Sequence, residues 1–440
     1  MQNIKKYLRS FCIFNFAFFI TSCSIQNQIN RQAQVSLIGF PSLSPAHIGI
    51  SLYDPKSTQY LYNYNSNKYF IPASNVKLFT LYAGLKFLAD SLVAARVTLD
   101  NGTALVQATG DPTFLHPDFT KQPLLNFLQQ PSVKSVKIYT PFATTSLGYG
   151  WAWDDFAEKY AAERDPFPMY GNLAMVIYDY DGDSIRTIPP LLKPFVIGKP
   201  EPEKKWALTR DFGGHLYTID TSKGDTEKVK KVTLSTGKGI FAARYLSDAL
   251  HKPVEAEYYP FENGPGFPVY SQPKDSLFKI MMHQSDNFFA EQTLLMAANE
   301  HFGEMNEKGI IDTLLFNQLK DIPQKPKWVD GSGLSRNNLF TPQDFVWILD
   351  KLKNEYGLER LKVILPTANE GSLKGMFADY KGNVFAKTGS MSNVNALSGY
   401  LITKKNRLLE FSIIINHHQA SGAVVKKQIE DFLTGIIERY

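Results

Sequence analysis

The sequence predicts an α+β fold, with a mixed or antiparallel sheet covered by helices and a long middle stretch of different, β-like texture. Three observations predict it. Val76 to Leu88 is apolar on nearly every face, which reads as a buried helix. From about residue 98 to 264 the texture changes to short β-like runs between Pro, Gly and Asp clusters. The chain then closes with a strand, a hairpin and an amphipathic helix.

Taken in order, His47 to Asp54 alternates and is β-rich, Asp54-Pro55-Lys56 signals a turn, and Gln59 to Tyr64 returns as a second strand. Pro72 and Ser74 stand where helix starts are signalled, just before the buried helix. Within the altered stretch, Lys134 to Tyr139, Ala174 to Tyr180 and Lys228 to Leu234 read as strands. Lys274 to Ala298 has a helical texture, and a Gly- and Ser-rich loop follows at Asp330 to Ser335. Phe340 to Tyr356 reads as a helix and Val384 to Thr388 as a strand. Asn395 to Thr403 and Leu408 to Asn416 read as a hairpin across Lys404-Lys405-Asn406, and Ala423 to Tyr440 as the closing helix. There is no internal repeat.

At roughly 150 residues per domain, 440 residues predict two or three domains, or one with a large insertion. Hydrophobic residues at 44% and charged residues at 20% exclude a disordered or fibrous chain. A net charge of +5 is mild for this length and predicts no nucleic-acid partner. The two cysteines, Cys12 and Cys23, lie at the extreme N-terminus, so the body can hold neither a disulfide framework nor a cysteine zinc site. The eight histidines contain no HExxH pair, and His417 and His418 would point to opposite faces of a strand. No metal and no cofactor is expected.

The N-terminus reads as an export signal. Lys5, Lys6 and Arg9 precede a short apolar run, Phe11 to Ile20, too short for the roughly 20 residues that span a bilayer. Ile20-Thr21-Ser22-Cys23 resembles a bacterial lipobox, which makes Cys23 the lipidation site; the alternative is a plain cleaved signal with an incidental cysteine. Acyl chains there would hold the protein at a membrane. Loss of residues 1–22 lowers the 47 basic residues by three to 44, against 42 acids, so the mature balance is +2. The expected organisation begins with a signal peptide at 1–22 and a tether at 23–45.

Three short motifs stand in order: Ser74-Asn75-Val76-Lys77 (SxxK), Ser285-Asp286-Asn287 (SxN) and Lys387-Thr388-Gly389 (KTG). Each alone has an ordinary explanation. Ser74 could be an N-cap, Lys77 a snorkelling surface lysine, the second motif a turn and the third a strand end. Ser235/Lys238, Ser271/Lys274 and Ser276/Lys279 repeat the SxxK spacing, and Ser335-Arg336-Asn337 repeats SxN. Context separates the ordered set. Ser74 follows a proline and opens a buried helix, whereas Ser235 and Ser271 sit among turn formers and Ser276 has no helix start before it. KTG occurs once, ending a β-like run. The ordered set is that of β-lactamases and penicillin-binding proteins.

The spacing has a physical reason. A serine hydroxyl is a poor nucleophile until a base takes its proton. Positions i and i+3 share a helix face, so Lys77 lies within reach of Ser74 Oγ. Lysine normally holds its proton, with a pKa of about 10.4, but burial and nearby cations such as Lys387 favour the neutral amine. On this resemblance Ser285 relays the proton to the departing amine, and Asn287 holds a substrate amide and orients Lys77. Lys387 and Thr388 bind the substrate carboxylate. Gly389 leaves room for the substrate backbone, and the N–H groups of Ser74 and Ser390 form an oxyanion hole.

With its flanks the chain resembles the class C low-molecular-mass penicillin-binding proteins, the D-Ala-D-Ala carboxypeptidase/endopeptidase family of serine peptidases. The segments that carry the resemblance are PASNVKL (72–78), QSDNFFAE (284–291), DGSGLSRNNLFTP (330–342), GSLKGMF (371–377) and VFAKTGSMSNVNALSGYL (384–401), with weaker echoes in TGDPTF (109–114) and GWAWDDF (150–156). The resemblance implies a penicillin-binding transpeptidase/β-lactamase-like domain, an antiparallel sheet flanked by helices, made of residues 46–97 and 265–440 and interrupted after its SxxK helix by a β-rich insertion at 98–264. That accounts for 211 positions between Ser74 and Ser285 but 102 between Ser285 and Lys387. It implies peptidoglycan stem peptides as substrates and β-lactams as covalent inhibitors, in the periplasm. The chain departs from the family after GWAWDDF, where Asp165-Pro166-Phe167-Pro168-Met169-Tyr170-Gly171 replaces a short Ala/Pro/Ser stretch, and in its lipobox.

Two other readings compete. A β-lactamase of class A would carry an ExxLN loop between the second and third motifs. Glu291-Gln292-Thr293-Leu294-Leu295 comes nearest, but it lacks the Asn and lies in an expected helix. A non-catalytic β-lactam-sensing or wall-binding lipoprotein would keep the motifs without turning over a D-Ala-D-Ala peptide.

Overall fold

The structure is a computed structural model that describes residues 26–140, 145–179, 181–201, 204–212, 214–223, 228–234, 240–257, 264 and 266–440. The expected signal peptide and Cys23 lie outside the described residues. The chain divides by packing into two units. One comprises residues up to Asn75 with Ile322–Lys327 and Asn338–Tyr440; the other comprises Val76–Asp321 with Trp328–Asn337.

The first unit is built on a five-stranded antiparallel sheet. Its strands are β1 (His47–Asp54), β2 (Gln59–Tyr64), β3 (Val384–Met391), β4 (Val394–Ile402) and β5 (Leu408–Asn416), in the spatial order β3-β4-β5-β1-β2. The sheet is covered on both faces, which is why β4 and β5 read as nearly unbroken apolar runs. Alternation sorts the side chains. Leu409, Phe411, Ile413 and Ile415 join a core with Val425, Ile429, Phe432 and Leu433 of the C-terminal helix, Gly422–Arg439. The opposite face meets the helix Pro342–Tyr356: Tyr400 donates to Leu349 O at 2.7 Å, and Lys353 to Glu410 Oε1 at 2.8 Å.

Residues 26–45 are not a tether. Residues 26–33 are α-helical and Gln34–Ile38 continue as a π turn. Ile29, Ala33 and Leu37 recur every four residues, and with Leu43 they enter the core with no exposure. Gln32 Nε2 donates to Asp431 O at 3.1 Å, and Gly435 gives it room, since a Cβ there would lie 2.6 Å from that nitrogen. The surrounding Gln, Asn and Ser residues hide this four-residue stripe. Leu37→Ala should therefore cost about 2–4 kcal/mol of unfolding free energy. Thermal denaturation of the 24–440 protein tests this, and an unchanged midpoint would contradict it.

Among the helices of the second unit, three position the expected site. They are α1 (Lys77–Phe87), α2 (Lys274–His283) and α3 (Asn287–Phe302). As expected, α1 is buried on every face, from Lys77 to Leu85. Gly84 allows the close packing, because a Cβ there would stand 2.5 Å from Phe278 and 2.8 Å from Thr293. The single helical texture expected over Lys274 to Ala298 is two helices. The break comes where Ser285 adopts a φ of 56° and Asp286 caps α3, accepting from Phe289 N at 2.8 Å.

Among the described residues, the β-rich region holds a mixed five-stranded sheet and two three-stranded sheets. The strands expected around residues 134–139, 174–180 and 228–234 are present at Ser135–Tyr139, Leu173–Asp179 and Val229–Thr233. Strand pairing crosses the limit expected at 97/98. Strand Ser91–Asp100 pairs antiparallel with Phe267–Pro273, from Val97 opposite Phe267 to Ser91 opposite Pro273. A cut at 97/98 would split that first strand. The turn formers that mark the change of texture begin only after Asp100, whereas the strand leading to them is apolar. Packing also groups α1 to α3 with the β-rich region rather than with the sheet of the first unit.

Candidate active site

Each unit holds part of the expected site. In the first, Phe70 pairs with Phe340, and Asn416 grips Ile71 at both its N–H and C=O, at 2.8 and 3.0 Å. This seats residues 70–75 against the sheet. Ala73 then takes a φ of 48°, a conformation a non-glycine residue adopts at a cost of about 1–3 kcal/mol. The turn that follows, Ala73–Val76, is 3-10 and carries Ser74 half-exposed among buried neighbours. Asn75 Nδ2 donates to Ser398 Oγ at 2.7 Å, and Ser398 Oγ to Ser412 Oγ at 2.8 Å, tying the turn to β4 and β5. The N-cap of α1 is Val76, so Ser74 is not its capping residue.

Strand β3 runs beside the same turn. A Cβ on Gly389 would lie 2.6 Å from Pro72 O and 3.2 Å from Ser74 N, so only glycine permits this approach. Lys387 is fully buried and donates to Thr388 O at 2.6 Å; Thr388 is half-buried and Ser390 is exposed. Asn395 Nδ2 donates to Ser390 Oγ at 3.2 Å. Gly389→Ala should push β3 from the Ser74 turn and cut penicillin acylation at least about tenfold, while overpacking costs about 1–3 kcal/mol. The labelling rate measured beside the unfolding midpoint tests this; an unaltered rate would contradict it.

In the second unit the structure brings Lys77 and Asn287 together. Lys77 has no exposure, which excludes the snorkelling role. Its Nζ donates to Asn287 Oδ1 at 2.6 Å and to Ser332 O at 2.7 Å. Asn287 is fixed in turn, its Nδ2 donating to Tyr160 O at 2.9 Å. Ser285 stands two residues before Asn287, in the left-handed backbone conformation that ends the α2–α3 break. Ser74 and Lys77 are three positions apart in one helical run, the 3-10 turn leading directly into α1.

Burial pushes the Lys77 amine down to about 8. The charges that act on it are the carboxylates of Asp286, Asp330 and Glu291, which raise it and are outweighed. The shift is therefore the desolvation effect expected from the apolar helix.

The loop Asp330 to Ser335 had no role assigned from sequence, yet it supplies the Ser332 carbonyl. Asp330 organises the loop by accepting from Gly333 N at 2.8 Å, Ser335 N at 2.6 Å and Trp151 Nε1 at 3.0 Å. Thr80 Oγ1 of α1 donates to Gly331 O at 2.6 Å. A Cβ on Gly331 would stand 2.6 Å from Ala290 O, so this glycine lets the loop lie against α3. The run of small residues in DGSGLS was the one sequence signal for such a close approach.

One unit thus holds a strained serine turn with the KTG strand against it, and the other a buried lysine of lowered basicity; in sequence these are the ordered motifs of penicillin-recognising serine enzymes. Residues 30–436 match the D-Ala-D-Ala carboxypeptidase 3 (S13) family, and the chain belongs to it. It is a serine-type D-Ala-D-Ala carboxypeptidase. The D-alanyl-D-alanine carboxypeptidase DacB of Haemophilus influenzae is 23% identical over 433 residues, covering 84% of this chain and 85% of that protein. A D-alanyl-D-alanine carboxypeptidase of Actinomadura sp. is 38% identical over 99 residues, 20% of this chain and 18% of its own. Among solved structures, penicillin binding protein 4 (dacB) of Haemophilus influenzae superposes with a TM-score of 0.73 at 20% identity, covering 94% of this chain and 99% of its own. The expected α+β, penicillin-binding type of fold is thus present.

Proposed function

We propose that Ser74 is the nucleophile that forms the acyl-enzyme with the penultimate D-Ala of peptidoglycan stem peptides, releasing the terminal D-Ala or opening the D-Ala cross-link. Lys77 takes the Ser74 proton, and Asn287 and Ser332 O hold its amine. Ser285 passes the proton to the leaving amine. Lys387 and Thr388 receive the substrate carboxylate, Gly389 leaves room for its backbone, and the N–H groups of Ser74 and Ser390 stabilise the oxyanion. Water then hydrolyses the ester. β-Lactams acylate the same serine.

The observation that carries this reading is Lys77. A fully buried lysine at about 8, donating to Asn287 Oδ1 and Ser332 O, is costly for stability alone and suited to a base near neutral pH. The substrate range is tested by D-Ala release from a peptide ending in D-Ala-D-Ala, run beside cleavage of a cross-linked stem-peptide dimer. Turnover of either supports the reading, and turnover of neither by folded, penicillin-labelled protein contradicts it.

We propose further that Cys23 is lipidated and holds the enzyme at a membrane, the outer membrane in a two-membrane cell. Support comes from the lipobox sequence Ile20-Thr21-Ser22-Cys23 behind a basic and apolar run.

A further inference from the structure

We propose that Glu291 is a positioning residue for Lys77, acting through the backbone of Ser332, with Arg164 holding the Glu291 carboxylate in place. The inference rests on the reading of Lys77 as the general base.

The geometry is a short chain of bonds within one unit. Helix α3 presents Asn287 and, one turn later, Glu291 on the same face. Asn287 Oδ1 accepts directly from Lys77 Nζ at 2.6 Å. Glu291 Oε1 accepts from Ser332 N at 2.7 Å, and the carbonyl of that same Ser332 accepts from Lys77 Nζ at 2.7 Å. Two successive turns of α3 thus fix both acceptors of the amine, one by side chain and one through a loop residue.

The carboxylate is itself held. Glu291 is 1% exposed and Arg164 4%. Arg164 Nη1 lies 3.5 Å from Glu291 Oε2 and also pairs with Glu307 of the helix Glu307–Phe316. The guanidinium is aimed by Thr145 and Leu147: Nε donates to Thr145 O at 3.1 Å, and Nη2 to Thr145 Oγ1 at 2.8 Å and Leu147 O at 3.3 Å. Two buried carboxylates sharing one arginine are an expensive arrangement if the only purpose is stability. Burial and the neighbouring Glu307 push Glu291 up to about 7, and its charge in turn raises the Lys77 amine. The charged groups around this chain are therefore Arg164, Glu307, Asp330 and Asp286 besides Glu291 and Lys77.

The two functions of Glu291, acceptor and charge, separate in two variants. Glu291→Gln keeps an oxygen for Ser332 N–H but removes the charge. Glu291→Ala removes both. The test is the pH profile of the second-order rate of acylation by penicillin, with unfolding midpoints, for the 24–440 protein, both variants and Lys77→Ala. Glu291→Ala should lose about tenfold or more of its limiting rate, and Glu291→Gln should restore it to within about threefold. In Glu291→Gln the acid limb should move about half a pH unit or more toward lower pH, because a carboxylate that held the proton on Lys77 is gone. An alanine variant that keeps its limiting rate, or a glutamine variant no better than alanine, would overturn the inference. Should Glu291→Ala fail to fold, an unmoved acid limb in Glu291→Gln would do the same. The parent reading fails separately: if Lys77→Ala acylates at close to the parent rate, Lys77 is not the base and this inference falls with it. If Lys77→Ala is inert while Glu291→Ala acylates normally, only the role of Glu291 falls.

Discussion

Ser74→Ala is expected to abolish both penicillin acylation and D-Ala release, with a loss of about 10⁴-fold or more, as in other enzymes that lose their nucleophile. The fold should survive. Ser74 is half-exposed, and the turn that carries it is fixed by its neighbours, through Asn416 on Ile71 and Ser398 on Asn75. An unfolding midpoint near that of the parent protein, with no covalent adduct and no D-Ala released, is the expected pair of results. A variant that still forms an adduct would place the nucleophile elsewhere.

The second large effect is at Lys77. Lys77→Ala should reduce acylation by about 10²–10⁴-fold, the range of a lost general base. The intact enzyme should show the same group in its pH profile. The active form is the neutral amine, and burial brings the amine to about 8. Below that pH the protonated form accumulates, so the rate should fall about tenfold per pH unit on the acid side and level off above it. The sign follows from desolvation, which disfavours the ammonium. Acylation that is flat from pH 6 to 8, or falls as pH rises through that range, would contradict the assignment.

Much of the sheet and the motif positions were legible because single periodicities describe them. β1, β2, β4 and β5 are β-rich runs bounded by turn signals, and they fall within a residue of the expected limits. Helix α1 was legible because it is apolar on every face. Other features depend on contacts distant in the chain. The Ile29-Ala33-Leu37 stripe has meaning only against the C-terminal helix, and its polar neighbours made residues 26–45 read as a tether. The limit expected at residue 97 followed composition, whereas the strand it cuts is paired with Phe267–Pro273.

The site shows the same division. Lys77 and Asn287 were named from motif spacing, and they meet at 2.6 Å. The Ser332 acceptor is a backbone carbonyl, which any residue type could supply, so no side-chain pattern announces it. The electrostatics of Lys77 were half legible. Its burial follows from the apolar helix, but the opposing charges come from Asp286, Asp330 and Glu291, more than two hundred positions away. Glu291 itself read as a near miss to a β-lactamase loop, whereas it is a buried helical residue bonded to the Ser332 amide.

The most direct test of the account is to label the 24–440 protein with a fluorescent penicillin, digest it and locate the adduct by mass spectrometry, with Ser74→Ala treated in parallel. The account predicts one covalent adduct, on the peptide that contains Ser74, and none on the variant. Folded protein that stays unlabelled while the penicillin remains intact, or an adduct on a different serine, would contradict it.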